Sequence, residues 1–234
     1  MTEIDPPPSG PRAPSMAIIA VANQKGGVGK TTVAMQVGAE LSRRHRVLVV
    51  DVDRQQSTVW WAENTQDRLP FDFAGSQHPN MLSRLRELRA DYKFVLVDTP
   101  GSLEDTAVLE TVLDAADYAL VPVTPEPLAV DPTLRTLSRL IEPRQLRHGV
   151  LLNRIDPRVP HQLQTWQSLL DSELGVPRLE AYLRQYKVQS DAPVLGQLVT
   201  SMRRNRRTEG AIADIAAIAR ELERLLSPAL TGAW

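Results

Sequence analysis

Residues 25–32 read Lys-Gly-Gly-Val-Gly-Lys-Thr-Thr, a set of residue types suited to holding a polyphosphate. A phosphate takes several N–H donors at once, and glycines let the backbone approach it without side-chain obstruction. A helix opening inside the same segment adds unpaired N–H groups and the positive end of its dipole. Lys30 is expected on the β- and γ-phosphates and the Thr31 hydroxyl on Mg²⁺, with Gly26, Gly27, Val28, Gly29 and Thr32 supplying backbone. The usual phosphate-loop pattern opens with glycine where this chain has Gln24, and Lys25 adds a second cation at the loop's start.

Two acidic segments have the spacing to complete such a site. Val50-Asp51-Val52-Asp53-Arg54 ends an apolar run, and strand alternation puts Asp51 and Asp53 on the same side. Carboxylates there can organise Mg²⁺-bound water and an attacking water. The alternative for such an Asp pair is the cap of a following helix. In Phe94-Val-Leu-Val-Asp98-Thr-Pro-Gly101 one acid follows four apolar residues, a place from which Asp98 can hold Mg²⁺ through water.

These loops need a scaffold, and the apolar pattern supplies one. Five short runs recur: Met16–Ala22, Val47–Val50, Phe94–Val97, Tyr118–Val123 and Val150–Leu152. Runs without polar alternation indicate strands buried on both faces. Helical spacing lies between them, in Val33, Ala34, Val37 and Leu41 and again in Leu82, Leu85 and Leu88. The expected fold is α/β, a mostly parallel twisted sheet with helices on both faces, in a single ATPase domain over residues 16–234. Ile212, Ile215, Ala219, Leu222 and Leu226 predict a C-terminal helix laid against that sheet rather than a coiled-coil seam, because two heptads are too few.

Residues 1–15 hold five prolines and no apolar run, which predicts a disordered tail rather than a signal peptide. No stretch approaches the roughly 18 consecutive apolar residues of a membrane span, and the C-terminus lacks a basic apolar face for a membrane surface. A soluble, cytoplasmic protein is expected. The chain has no cysteine, which excludes disulfides, thiolate metal sites and iron–sulfur clusters. Its 27 basic residues are balanced by 28 acidic ones, so a surface for nucleic acid has to be local.

The loop with Lys25 ahead of Gly26-Gly27 resembles the deviant Walker A motif of the ParA/MinD family, nearest to the small ParF-like partition ATPases. Asp51-Val-Asp53-Arg54-Gln55 is similar to that family's Asp-x-Asp-Pro-Gln, with Arg54 in place of proline, and Asp98-Thr-Pro-Gly has the form of its Walker B strand, although small GTPases share it. Weaker likenesses lie in Val121–Leu128, in Gly149–Asp156 and in Ser190-Asp191-Ala192-Pro193 with Gly196. The resemblance implies an ATP hydrolase that binds Mg·ATP, forms a sandwich homodimer and hydrolyses ATP slowly. In it Lys25 is the signature lysine that reaches the partner's phosphates, Asp53 the catalytic water-positioning residue and Asp51 a support of the metal shell. Asn153 is implied as a contact to adenine, or else a turn-forming residue.

Arg203, Arg204, Arg206 and Arg207 form a dense basic cluster. On a helix they would span about 160° and share one face, suited to a phosphodiester backbone without reading sequence. Their other reading is a solvated face, and Trp60-Trp61 has core packing as its default. By the resemblance, the cluster holds non-specific nucleoid DNA, and a ParB-like or small DNA-binding adaptor stimulates hydrolysis to segregate plasmid or chromosomal DNA. A MinD-like or protein-cargo-positioning ATPase, or a metabolic ATPase on the same fold, is the alternative. The sequence does not name the cargo.

Overall fold

The computed structural model describes residues 16–65, 68–75, 85, 87, 91–101 and 105–231, with side chains through Leu226. The predicted tail, Leu82 and Leu88 lie outside these residues. The elements run β1 (Ala17–Val21), α1 (Lys30–Leu41), β2 (Val47–Asp51), α2 (Ser57–Asn64), β3 (Asp72–Gly75), β4 (Phe94–Asp98), α3 (Thr106–Ala115), β5 (Tyr118–Val123), α4 (Pro127–Thr136), β6 (His148–Ile155), α5 (Gln162–Ser168), β7 (Leu183–Arg184), α6 (Lys187–Asp191) and α7 (Glu209–Thr231).

The strands form one seven-stranded sheet in the order β3-β2-β4-β1-β5-β6-β7, and every neighbouring pair is parallel. All five predicted runs are strands. β1, β2, β4 and β5 are buried throughout, as strands covered on both faces must be. Alternate residues feed two separate cores. Ile19, Val49 and Leu96 meet Val33, Val37, Ile215 and Leu222 of α1 and α7 on one face. Ile18, Val50 and Val95 meet Leu109, Val112 and Leu140 on the other.

The C-terminal helix lies against the sheet and α1 as predicted. Ile212, Ile215, Ala219, Leu222 and Leu226 are all buried, and each large one contributes about 1.5–3 kcal/mol by leaving water. α1 and α7 run side by side. The Val199 N–H, just ahead of α7, donates to Gln36 Oε1 at 3.0 Å, and past the end of α1 Arg44 Nε donates to Glu223 Oε1 at 3.0 Å. The segment leading into α7 therefore lies at the end of the molecule where α1 begins.

That segment corrects one expectation. Arg203–Arg207 are not helical, since α7 begins only at Glu209. The Asn205 side chain accepts the Arg207 N–H at 2.8 Å, and Thr208 Oγ1 donates to the Arg203 carbonyl at 2.9 Å. Short polar side chains here capture the backbone groups that a helix would have used. The four arginines stand on a turn and are exposed, and none makes an ion pair among the described residues.

Candidate nucleotide and metal site

Register places the site. Asp98 pairs with Val21 on one side and with Asp51 on the other. The two acids and the exit to the phosphate loop therefore stand in a row at the carboxyl edge of the sheet, where open α/β sheets bind ligands.

Gly29 closes the loop and caps α1 at φ +89°, a left-handed conformation natural to glycine. A side chain there would also drive into Asn153 Nδ2. Lys30, the first residue of α1, is 8% exposed, and its Nζ lies 3.4 Å from the Lys25 carbonyl. Burial lowers its pKa, while the charges of Asp98 and Asp53 pull it back up. A desolvated ammonium beside the loop amides is poised for an anion. Gly101 closes over it, and a Cβ there would come 2.7 Å from Nζ.

Asp98 is 1% exposed. Its Oδ2 accepts the hydroxyls of Thr31 at 2.7 Å and Thr58 at 2.5 Å. Its Oδ1 is buried and has no hydrogen-bond partner among the described residues. Burial raises the carboxyl to about 7, against those two hydrogen bonds. A buried carboxylate oxygen without a donor is the acceptor that a hydrated cation satisfies. Among the described residues no three acidic or histidine side chains converge on a point. Thr31 and Asp98 thus suit Mg²⁺, which takes most of its ligands from water and phosphate oxygens, better than a metal caged by protein.

Asp51 is occupied otherwise. Its carboxylate accepts the N–H groups of Asp53 at 2.9 Å and of Thr58 and Val59 at 3.1 Å each. Two of these donors, Thr58 and Val59, are first-turn amides of α2, so Asp51 caps that helix, the helix-capping alternative. The hydroxyl of Thr58, not the Asp51 carboxylate, is hydrogen-bonded to Asp98. Asp53 is half-buried, and its Oδ1 accepts the Gln55 N–H at 2.9 Å in a tight local turn.

Asn153 is 2% exposed and donates to the Val28 carbonyl at 2.7 Å, bracing the phosphate loop from behind. The next residue, Arg154, adopts φ +61° beside a register shift between β6 and β7. Such bulges re-aim a side chain, and Arg154 is turned into the site.

These groups surround a cavity of about 860 Å³ lined by the loop glycines, Lys30, Thr31, Thr32, Asp53 and Arg154. Asp105 and Arg54 line it too, joined by an ion pair of 3.0 Å. Lys25 is not among the lining groups. Thr58, Asp105 and Arg154 carried no sequence signal, having no motif spacing of their own. Trp61 is buried and donates to the Gln197 carbonyl at 3.2 Å, while Trp60 is 50% exposed.

A parallel sheet, a phosphate loop feeding α1 and a buried acid beside its threonine define a P-loop nucleotide hydrolase. Residues 19–226 match the CobQ/CobB/MinD/ParA nucleotide-binding domain, and the chain belongs to this family, as an ATPase with ATP and Mg²⁺ as cofactors. It is 40% identical over 215 residues to the maintenance of carboxysome distribution protein A of Gloeobacter kilaueensis, spanning 92% of this chain and 98% of that one. The cell division protein MinD of Aquifex aeolicus superposes with a TM-score of 0.73 at 20% identity, over 89% of this chain and 97% of MinD. An ATP-bound McdA variant from Cyanothece superposes with a TM-score of 0.70 at 15% identity, over 92% and 97%. Among the described residues no helix is long and apolar enough to cross a membrane.

Proposed function

We propose that this chain is a positioning ATPase that rides non-specific DNA as an ATP-dependent homodimer and distributes a protein assembly. The observation that carries the DNA track is the turn at Arg203–Arg207. Four guanidinium groups are exposed with no acid paired to them among the described residues, beside the positive pole of a 23-residue helix and at the phosphate-loop end of the molecule. Such a surface repels itself until an anion arrives. The cargo reading rests on the Gloeobacter relative, whose name assigns it to carboxysome distribution. Protein cargo therefore ranks ahead of plasmid or chromosome segregation.

In this reading Lys30 and the loop amides hold the β- and γ-phosphates, and Thr31 with Asp98 holds the hydrated cation. Bound Mg²⁺ supplies neutralisation of charge on the phosphate oxygens. Asp53, with one oxygen fixed by Gln55, turns the other toward the attacking water. Lys25 points out of its own cavity toward the partner subunit's phosphates. An adaptor protein that stimulates hydrolysis opens the dimer and frees it from the nucleoid.

Fluorescence anisotropy on random duplex DNA tests this. Binding is expected with ATP and not with ADP or without nucleotide, because one turn offers few phosphate contacts and a dimer presents two on one body. Equal affinity in all three states would remove the DNA track and favour a metabolic ATPase. Dispersed plasmid loss on gene deletion, with cargo bodies evenly spaced, would restore the DNA-segregation reading.

A further inference from the structure

Ahead of the loop that holds phosphate, Asn23 is 0% exposed, and its side chain spans three elements. Nδ2 donates to the Pro122 carbonyl at the end of β5 at 2.9 Å and to Thr133 Oγ1 on α4 at 2.9 Å. Oδ1 accepts the Lys25 N–H at 2.9 Å. The reversed amide would aim a donor at that N–H and an acceptor at the Pro122 carbonyl, so its orientation is set by its partners. The next residue repeats the contact, the Gln24 N–H donating to Thr136 Oγ1 at 3.1 Å. Both threonine hydroxyls spend their protons inside α4, on the carbonyls of Ala129 at 2.7 Å and Pro132 at 2.9 Å. They are thereby committed to accept from residues 23 and 24.

Apart from the 3.4 Å contact of Lys30 Nζ with the Lys25 carbonyl, the two halves of the phosphate loop are thus held by different parts of the protein. Val28 is braced by Asn153 of β6, and Gly29–Thr31 belong to α1. Lys25 hangs from α4 through Asn23, Thr133 and Thr136. We infer that Asn23 is a positioning residue for Lys25, fixing the backbone from which that side chain leaves its own subunit, and that α4 is the anchor of the ATP-dimer contact. The inference rests on the cross-subunit role proposed for Lys25. Its physical content is a separation of functions: loosening the strap spares the nucleotide cradle and costs the dimer.

The full-length chain tests it with two readouts. Affinity for a fluorescent ATP analogue reports the cradle, and sedimentation with Mg·ATP reports the dimer. Asn23→Ala is expected to keep analogue affinity within about threefold, since each lost neutral hydrogen bond is worth a modest factor and none touches the cradle. Its ATP-dimer dissociation constant should rise at least tenfold, toward that of Lys25→Ala. Thr133→Val, which keeps shape and removes one acceptor, should lie between. The double variant Asn23→Ala/Lys25→Ala should be no worse than Lys25→Ala alone, because the strap acts only through the lysine. A purely structural role predicts parallel losses of analogue binding and dimerisation, and additive effects in the double variant. Either result overturns the inference. Normal dimerisation by Asn23→Ala beside a defective Lys25→Ala overturns the strap alone. Normal dimerisation by Lys25→Ala overturns the cross-subunit reading and the strap with it.

Discussion

The side-chain amide of Asn153 donates to the Val28 carbonyl at 2.7 Å, and its Nδ2 fills the space where a Cβ on Gly29 would stand. One residue of β6 thereby fixes both the height of the phosphate loop and the residue type at its end. Asn153→Ala is expected to weaken Mg·ATP binding about tenfold, the effect of one buried hydrogen bond and a slackened loop. Gly29→Ala, at φ +89°, should abolish it. Calorimetric titration measures both, and an Asn153→Ala protein with parental affinity would show that the loop holds its shape unaided.

Lys30 is a buried cation whose pKa is lowered chiefly by desolvation. Without nucleotide it is therefore a burden on the fold, relieved only in part by Asp98 and Asp53. Lys30→Met should abolish ATP binding and leave the melting temperature of the nucleotide-free protein equal or higher. A fall of several degrees would mean that Lys30 serves the fold through its charge pairs.

Asp53 borders the cavity without gripping the phosphate loop. Asp53→Ala is expected to bind ATP normally, to slow hydrolysis at least a hundredfold and to accumulate as a persistent ATP dimer, seen by sedimentation. Hydrolysis at the parental rate would move the catalytic role to another cavity group, and the Arg54–Asp105 pair would be the first to examine.

If the arginine turn contacts DNA, each guanidinium that neutralises a phosphate adds about 0.9 to the log–log salt slope. Arg203→Ala/Arg206→Ala should weaken binding to random duplex DNA and flatten the slope by roughly 1.8 per subunit engaged, with ATP dimerisation unchanged. An unaltered slope would leave the turn as a solvated surface.

Tyr118 begins β5 with its ring buried, and its hydroxyl occupies the space where a side chain on Gly149 would stand. Burial, with Glu221 nearby, raises its pKa from 10.0 to about 12. The folded value exceeds the unfolded one, so stability is fully present below about pH 10. It is lost as pH rises toward 12, by about 3 kcal/mol in all. Denaturant melts from pH 9 to 12 should show the decline, and Tyr118→Phe should remove most of it. An identical decline in the variant would assign it to other groups.

The sheet and the phosphate loop were legible because both are local. A fully apolar run such as Phe94–Val97 has few fates, and glycines at 26, 27 and 29 beside Lys30 have fewer. β3 was missed because Asp72–Gly75 sits at a sheet edge, half in solvent, and never becomes an apolar run. β7 has only two residues. Asp51 and Thr58 show a different limit. Alternation puts Asp51 at the strand end, but the Thr58 and Val59 N–H groups that claim its carboxylate become neighbours only when α2 folds back. Arg203–Arg207 show a third, for the charge spacing fits a helical face, while the side chains of Asn205 and Thr208 compete for the backbone.

Helix α2 shares its first turn with the site, since Asp51 caps it and Thr58 is bonded to Asp98. Two and three residues beyond Thr58 it carries Trp60, half in solvent, and Trp61, enclosed in the core. With Trp166 and Trp234 replaced, the pair would make an optical reporter of the site, the exposed indole sensing any shift of α2 and the enclosed one serving as a reference. With no cysteine in the chain, a thiol introduced on the outer face of α2 takes a dye at one position only, so the cycle can be followed in real time.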